Sequence, residues 1–274
     1  IKIKNKTADI NYCFQIMEEL EKNKKFDELT QTQIYLKEND FNVIALNQMV
    51  ETLKAGEQLP DKAVAITFDD GYISIYDTAF PMLQSYGFPF TLFLSTGPID
   101  RQQQNFINWE QIKEMSSAGV IIANHMVEHP YMLAKGQDES ELEWINRLEK
   151  ELLKAELRIE QQTGQSHRYL AYPFGEFNTE IKNMLEANDF IGLAQNSGAV
   201  GVNSDFLALP RFPLASIYAN LETAKIKLDS KAFNVDLIQP LSPVTQDRNP
   251  PVTLKFNDGN YNLSQIGCFA NSKP

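Results

Sequence analysis

The chain has 274 residues, 43% of them hydrophobic, and a formal net charge of −11, which suits one sizeable domain with a small appendage. Its Lys and Arg residues are scattered, so it lacks the basic field that a phosphate backbone requires, and nucleic acid is not an expected partner. No stretch reaches the ~20 consecutive apolar residues of a membrane helix.

The opening IKIKNKTADI has neither an initiating Met nor the apolar core of a secretion signal, and it reads as a processed or trimmed amino terminus. Beyond it, short apolar runs alternate with longer amphipathic ones. FNVIAL, AVAITF, FPFTLFLST, GVIIANH, RYLAYPF, DFIGLAQ and FLALPRF predict strands. Between them NWEQIKEMSSAG and DESELEWINRLEKELLKAELRIEQQTG predict helices, the second stopping at Gly164. Such alternation means a parallel sheet, open or closed into a barrel. After Ala232 the composition changes. DLIQPLSPVTQDRNPPVTLKF carries the prolines of a linker, and VTLKF, a turn at NDGN and LSQIGCFA predict a β-hairpin or the start of a small β-module. The expected division is a barrel over residues 1–233 and an extension over 234–274. Cys13 and Cys268, near opposite ends, are either bridged or both free.

In parallel α/β architectures, functional groups collect at the carboxyl ends of strands. Asp69 and Asp70 end one strand, and His125 and His129, two of only three histidines, end another. Taken singly, Asp-Asp-Gly is an ordinary turn and a His pair four apart is incidental. Taken together they supply a carboxylate and two imidazoles, the usual ligand set of a catalytic divalent metal, plus a second carboxylate able to act as a base. A third strand ends in YLAYPFGEFN, whose Pro-Phe-Gly turn can aim backbone N–H groups at a bound oxygen.

With TFDDG, HMVEH and AYPFG in this order, the sequence resembles the polysaccharide deacetylases of carbohydrate esterase family 4 across roughly Val64 to Arg211. AYPFG and LPRFP look nearer to the branch containing poly-β-1,6-N-acetylglucosamine deacetylases than to chitin deacetylases. The resemblance implies a distorted (β/α) barrel with a small C-terminal β extension. It also implies hydrolytic removal of N-acetyl groups from an N-acetylglucosamine-containing polysaccharide or oligosaccharide, with release of acetate. Asp69 would be the general base. Asp70, His125 and His129 would hold one divalent ion, zinc first, with cobalt or nickel as alternatives. The Phe174 N–H would hold the oxyanion, Tyr172 and Pro173 would contact substrate, and Tyr131, by its place just beyond His129, would line the groove. The family's base-orienting arginine falls at Ala171, and Arg211 is the substitute. By the same resemblance the protein would be secreted, periplasmic or associated with the cell envelope. Its oligomeric state is left open.

Two departures stand out. Met126 replaces a family Ser or Thr that would steady the histidine loop. The family's general-acid histidine is also missing, since none follows His167. His167 opens the strand leading to Tyr172 and reads as a surface residue at the far end of the barrel. INYCF aligns with the branch's first-strand Tyr-His, which puts Cys13 in the acid's place. Cys13 is then a proton donor, a metal ligand or a small buried hydrophobe. The rival readings are a degenerate homologue that binds metal and polysaccharide without turnover, and a phosphohydrolase using the aspartate pair. The latter leaves the histidines and the YPFG turn unexplained.

Overall fold

Ala63, Ala65 and Thr67 alternate with Val64, Ile66 and Phe68 along one fully buried strand, and the two sets belong to different layers. The computed structural model describes residues 11–16, 25–214, 220–240 and 242–257, with side chains from Thr30 onward. The first eight strands are β1 (Asn11–Ile16), β2 (Asn42–Val43), β3 (Ala63–Phe68), β4 (Phe90–Leu94), β5 (Ile121–Asn124), β6 (Tyr169–Ala171), β7 (Ile191–Leu193) and β8 (Phe212–Pro213). All pair in parallel, in the order β7-β6-β5-β4-β3-β1-β8, with β2 beside the first half of β3.

The sheet curls back on itself. Leu209 bridges to Leu193 of β7, and Phe212 and Pro213 pair with Phe14 and Gln15 of β1, so one short segment joins the two ends of the strand order. The inner face carries Ala63, Ala65, Phe93, Ala123, Tyr169, Ala171, Leu193 and Leu209. The small residues among them give the strands room to curl around Phe93. The outer face carries Val64, Ile66, Leu92, Leu94 and Ile122, packed on Leu83, Ile112, Met115 and Ile159 of the surrounding helices. A strand buried on both faces must read as a continuous apolar run, as AVAITF does. This is the expected distorted (β/α) barrel.

The first six α-helices are α1 (Lys25–Glu38), α2 (Leu46–Lys54), α3 (Phe80–Tyr86), α4 (Thr96–Asp100), α5 (Trp109–Ser117) and α6 (Glu141–Thr163). α6 begins at a capping box of Ser140 and Glu143 and ends at Gly164, whose φ of 72° is the left-handed terminator that glycine adopts cheaply. Trp144, Leu148, Leu152, Ala155 and Ile159 form its buried stripe.

The C-terminal region departs from expectation in its pairing. The stretch read as a linker contains β9 (Val235–Gln239), which pairs antiparallel with β10 (Thr253–Phe256). VTLKF thus finds its partner before the proline-rich segment, not after it. The strand-like LSQIGCFA, including Cys268, lies outside the described residues, as does most of the NDGN turn. Among the described residues no helix is long and apolar enough to cross a membrane.

Candidate active site

Strand parity decides which residues reach the barrel interior. Along β3 the inward series Ala63, Ala65, Thr67 continues to Asp69, which is 3% exposed. Arg211, also fully buried, lies in the segment that closes the sheet. Its Nη1 and Nη2 donate to the two Asp69 oxygens at 2.9 and 3.0 Å. Nε donates to the Ala194 carbonyl at 2.9 Å, Nη1 also reaches Thr67 Oγ1 at 3.2 Å, and the guanidinium lies over the Phe93 ring at 5.6 Å. A bidentate fork whose arginine is braced by two further acceptors holds a buried carboxylate in one orientation.

One residue on, the chain turns sharply. Asp70 has φ 73° and Gly71 φ 95°. This conformation swings Asp70 off the strand direction and toward the end of β5. There the inward series Ala123, His125 brings in the first imidazole. His125 Nδ1 lies 2.7 Å from the Ala171 carbonyl oxygen, an acceptor only, so Nδ1 carries a proton and Nε2 is the nitrogen turned toward Asp70. Nε2 of His125 lies 3.3 Å from Asp70 Oδ1, and Nε2 of His129 lies 3.4 Å from the same oxygen. The three ligand atoms fall within 4.8 Å of one another.

These groups perturb one another. Burial pushes Asp70 up, but the hydrogen bond and charge of His125, with His129 and Arg211 behind them, outweigh it and hold the carboxyl below its ordinary range. Burial pulls His125 down, yet its bond to Asp70 and the charges of both aspartates leave it raised. His129 is lowered, by burial and by the charge of His125. One carboxylate and two imidazoles with converging ligand atoms, one of them oriented by a backbone carbonyl, fit a divalent cation of the zinc type.

A short helical turn over Pro173–Gly175 forms the next wall, with Phe174 at φ 56°. Non-glycine residues in this region are uncommon, and Asp70, Met126, His129 and Phe174 all adopt it around the site. Such strain collects where surrounding contacts over-determine the backbone. The Phe174 ring is 44% exposed and lies edge-on to His129 at 4.3 Å. Tyr131, 59% exposed, stacks flat on it at 4.1 Å with 5° between planes.

Two of the expected substrate contacts need correction. Tyr172 follows Ala171 on β6 and by parity points outward. It is fully buried, stacks on Phe177 and donates its hydroxyl to the Leu207 carbonyl at 2.6 Å. Pro173 is buried too. Neither side chain is placed to line a groove. His167 lies before β6, at the end remote from the site, but it is half-buried, bonded to Gln165 and stacked on Tyr169. The backbone register places Cys13 opposite Ala65, four residues before Asp69 along the strand, and its side chain lies outside the described ones.

Sequence reading missed Thr67, Asn124 and Glu151. The signal for Asn124 was available, since an Asn immediately before a strand-end His is suited to bond the following backbone. Its Oδ1 accepts the Met126 N–H at 2.8 Å. Glu151 carried no signal, being one of several acids on an amphipathic helix.

Residues 56–191 match the family model described as polysaccharide deacetylase. The poly-β-1,6-N-acetyl-D-glucosamine N-deacetylase of Staphylococcus epidermidis is 29% identical over 182 residues, covering 65% of this chain and 63% of that protein. The Escherichia coli K12 protein of the same name is 25% identical over 178 residues, covering 53% of this chain and 26% of that one. The chain thus spans less than two thirds of the length of these curated relatives. Among solved structures, the Streptococcus pyogenes deacetylase PplD superposes with a TM-score of 0.69 at 20% identity, covering 80% of this chain and 96% of that one. IcaB from Ammonifex degensii superposes at 0.68 and 22% identity, covering 82% and 99%. At these identities the structural likeness establishes the fold.

Proposed function

The chain belongs to the polysaccharide deacetylase family, and from that premise we propose that it is a metal-dependent N-deacetylase of an N-acetylglucosamine-containing polysaccharide or oligosaccharide, releasing acetate. The observation that carries this reading is the adjacency of two arrangements at one barrel mouth. Asp69 is gripped by Arg211, and beside it Asp70, His125 and His129 converge.

Asp70, His125 and His129 would hold the ion, zinc first, with cobalt or nickel also suited to this donor set. Bound there, a divalent cation polarises an acetamide carbonyl and makes water a better nucleophile near neutral pH. Asp69 takes the proton from the attacking water, and Arg211 fixes the angle at which it does so. The Phe174 N–H donates to the oxygen of the tetrahedral intermediate, a contact worth roughly 3 kcal/mol of barrier in comparable sites. The exposed faces of Tyr131 and Phe174 offer an apolar platform for a sugar ring.

Proton delivery to the leaving amine is the weak step. Of the three histidines, two lie in the converging group and His167 sits at the remote end of β6. A positioned acid contributes ~10²–10⁴ in rate, so turnover of amides should be slow. That same absence supports the second reading, a homologue that binds metal and polysaccharide without turnover. The substrate class implies action in the envelope or outside the cell. Residues 1–233 would form the catalytic unit, with 234–274 as an extension.

The test is acetate release from a panel of N-acetylglucosamine oligomers and polymers with zinc, cobalt or nickel, and with chelator. Chelator-sensitive release supports the first reading. Polymer binding without release under every metal favours the second.

A further inference from the structure

Nearly the whole backbone between the two site histidines can be accounted for bond by bond. The His125 N–H donates to Leu94 O and its carbonyl accepts from Ser95 Oγ. Met126 donates to Asn124 Oδ1 and accepts from the Thr96 N–H. The carbonyl of Val127 accepts from Gly97, and the N–H groups of Val127 and Glu128 both donate to a single oxygen, Glu151 Oε1, at 3.2 and 2.9 Å. The carbonyls are thus held by Ser95 and the first residues of α4, and the last two amides by a carboxylate reaching in from α6.

The left-handed φ of 66° at Met126 is what aims the next two N–H groups the same way, forming a small anion-binding concavity. Met126 itself is fully buried with Trp144, Leu148 and Leu152, so its side chain anchors the loop to the same helix that supplies Glu151. Asn124 is tied there as well, donating to Leu152 O and Glu156 Oε2 at 3.0 and 3.1 Å. On the other side, the Glu128 carboxylate takes both Nη groups of Arg101 at 2.6 and 2.8 Å. Gly97 sits so close that an added Cβ would lie 2.8 Å from the Val127 carbonyl oxygen. The loop has little freedom left, and Glu151 is the one side chain that fixes two of its amides.

We infer that Glu151 is a positioning residue for the site: by capturing the Val127 and Glu128 amides it sets the distance and angle between His125 and His129, the task a hydroxyl at position 126 cannot perform here. This rests on the metal-centre reading above, so the experiment has one arm that needs no metal.

Glu151→Met keeps length and helix propensity but has no oxygen, and Glu151→Gln keeps an acceptor. In the metal-free full chain, amide hydrogen exchange across residues 121–131 reports the hold directly. Zinc affinity by chelator competition, with the visible spectrum of the cobalt-loaded protein, reports ligand geometry. Glu151→Met should speed exchange at Val127 and Glu128 while leaving Ile121–Ala123 as in the parent. It should weaken zinc binding ~10- to 100-fold, the range for lost supporting contacts, and change the cobalt spectrum. Glu151→Gln should restore all three. A Glu151→Met protein with parental exchange at Val127 and Glu128 overturns the inference, as does Glu151→Gln behaving like Glu151→Met. Failure of the parent to bind zinc would defeat the metal-centre reading instead, and the exchange arm would still decide the role of Glu151.

Discussion

Arg211 meets both carboxylate oxygens of Asp69, at 2.9 and 3.0 Å, in a place where neither side chain is more than 3% exposed. This geometry separates two roles that a surface pair would blur. Asp69 is held in one orientation by a partner 142 residues away in sequence, from the segment that closes the sheet.

Asp69→Asn should therefore keep the fold and the metal while abolishing deacetylation, because the amide preserves shape but cannot take a proton from water. The expected loss in kcat is at least ~10², measured as acetate release beside metal content. A variant retaining most of its rate would move the base elsewhere.

Removing Arg211 acts on stability first. Arg211→Ala leaves the Asp69 charge buried without its main counter-ion, and breaking such a pair costs about 3–5 kcal/mol. Urea unfolding should show a loss of that order, with an unchanged slope against denaturant. The double variant Asp69→Asn/Arg211→Ala should recover part of it, since no buried charge remains. A loss under ~1 kcal/mol would mean that water or another residue reaches the pair.

His125→Ala and His129→Ala should each lower bound zinc by about one equivalent per chain, since two ligands alone make a poor zinc site. Metal analysis after dialysis checks this. Equal metal content in parent and variants would place the ion elsewhere.

The loop following His129 gives a pH prediction. Glu139 accepts the Gly136 N–H and forms a fork with Arg147, and together these contacts hold its carboxyl down to about 2. A depressed folded-state value means that the unfolded chain takes up the proton first. The stabilisation is thus complete above the ordinary glutamate range, near 4.5, and is lost as pH falls toward about 2. The melting temperature of Glu139→Gln should fall below the parent's at neutral pH, and the two should draw together as pH falls through ~3 and converge below pH ~2. A gap that persists at low pH would show that the amide fails for reasons of shape.

Much of the site was legible because its residues sit at strand ends, where an apolar run breaks into polar residues. AVAITFDDG and ANHMVEH both do this. Partnership across distance was legible only through the family resemblance, which named Arg211 as the residue that orients Asp69. Arg211 and Asp69 are 142 residues apart, and nothing local distinguishes this arginine from a surface one. Tyr172 was expected at the substrate, whereas one step past Ala171 reverses the face and buries the ring against Phe177. The C-terminal pairing escaped because DLIQP, next to a run of prolines, reads as linker, while β9 forms just before them.

Cys13 is where the barrel register bears hardest on mechanism. In the pairing of β1 with β3, Cys13 faces Ala65 and Gln15 faces Thr67. The position level with Asp69 therefore lies beyond the end of β1. Four residues at ~3.3 Å each put the Cys13 backbone ~13 Å short of Asp69 along the strand. Cys13→Ala should thus leave acetate release and its pH profile unchanged, and Cys13→His should not restore a proton donor. The measurement compares amide substrates with activated esters, whose leaving groups need no protonation. The ratio of the two rates should be the same in the parent and both variants. A Cys13→His protein that gains on amides alone would show that β1 works in a different register, with position 13 raised to the level of Asp69.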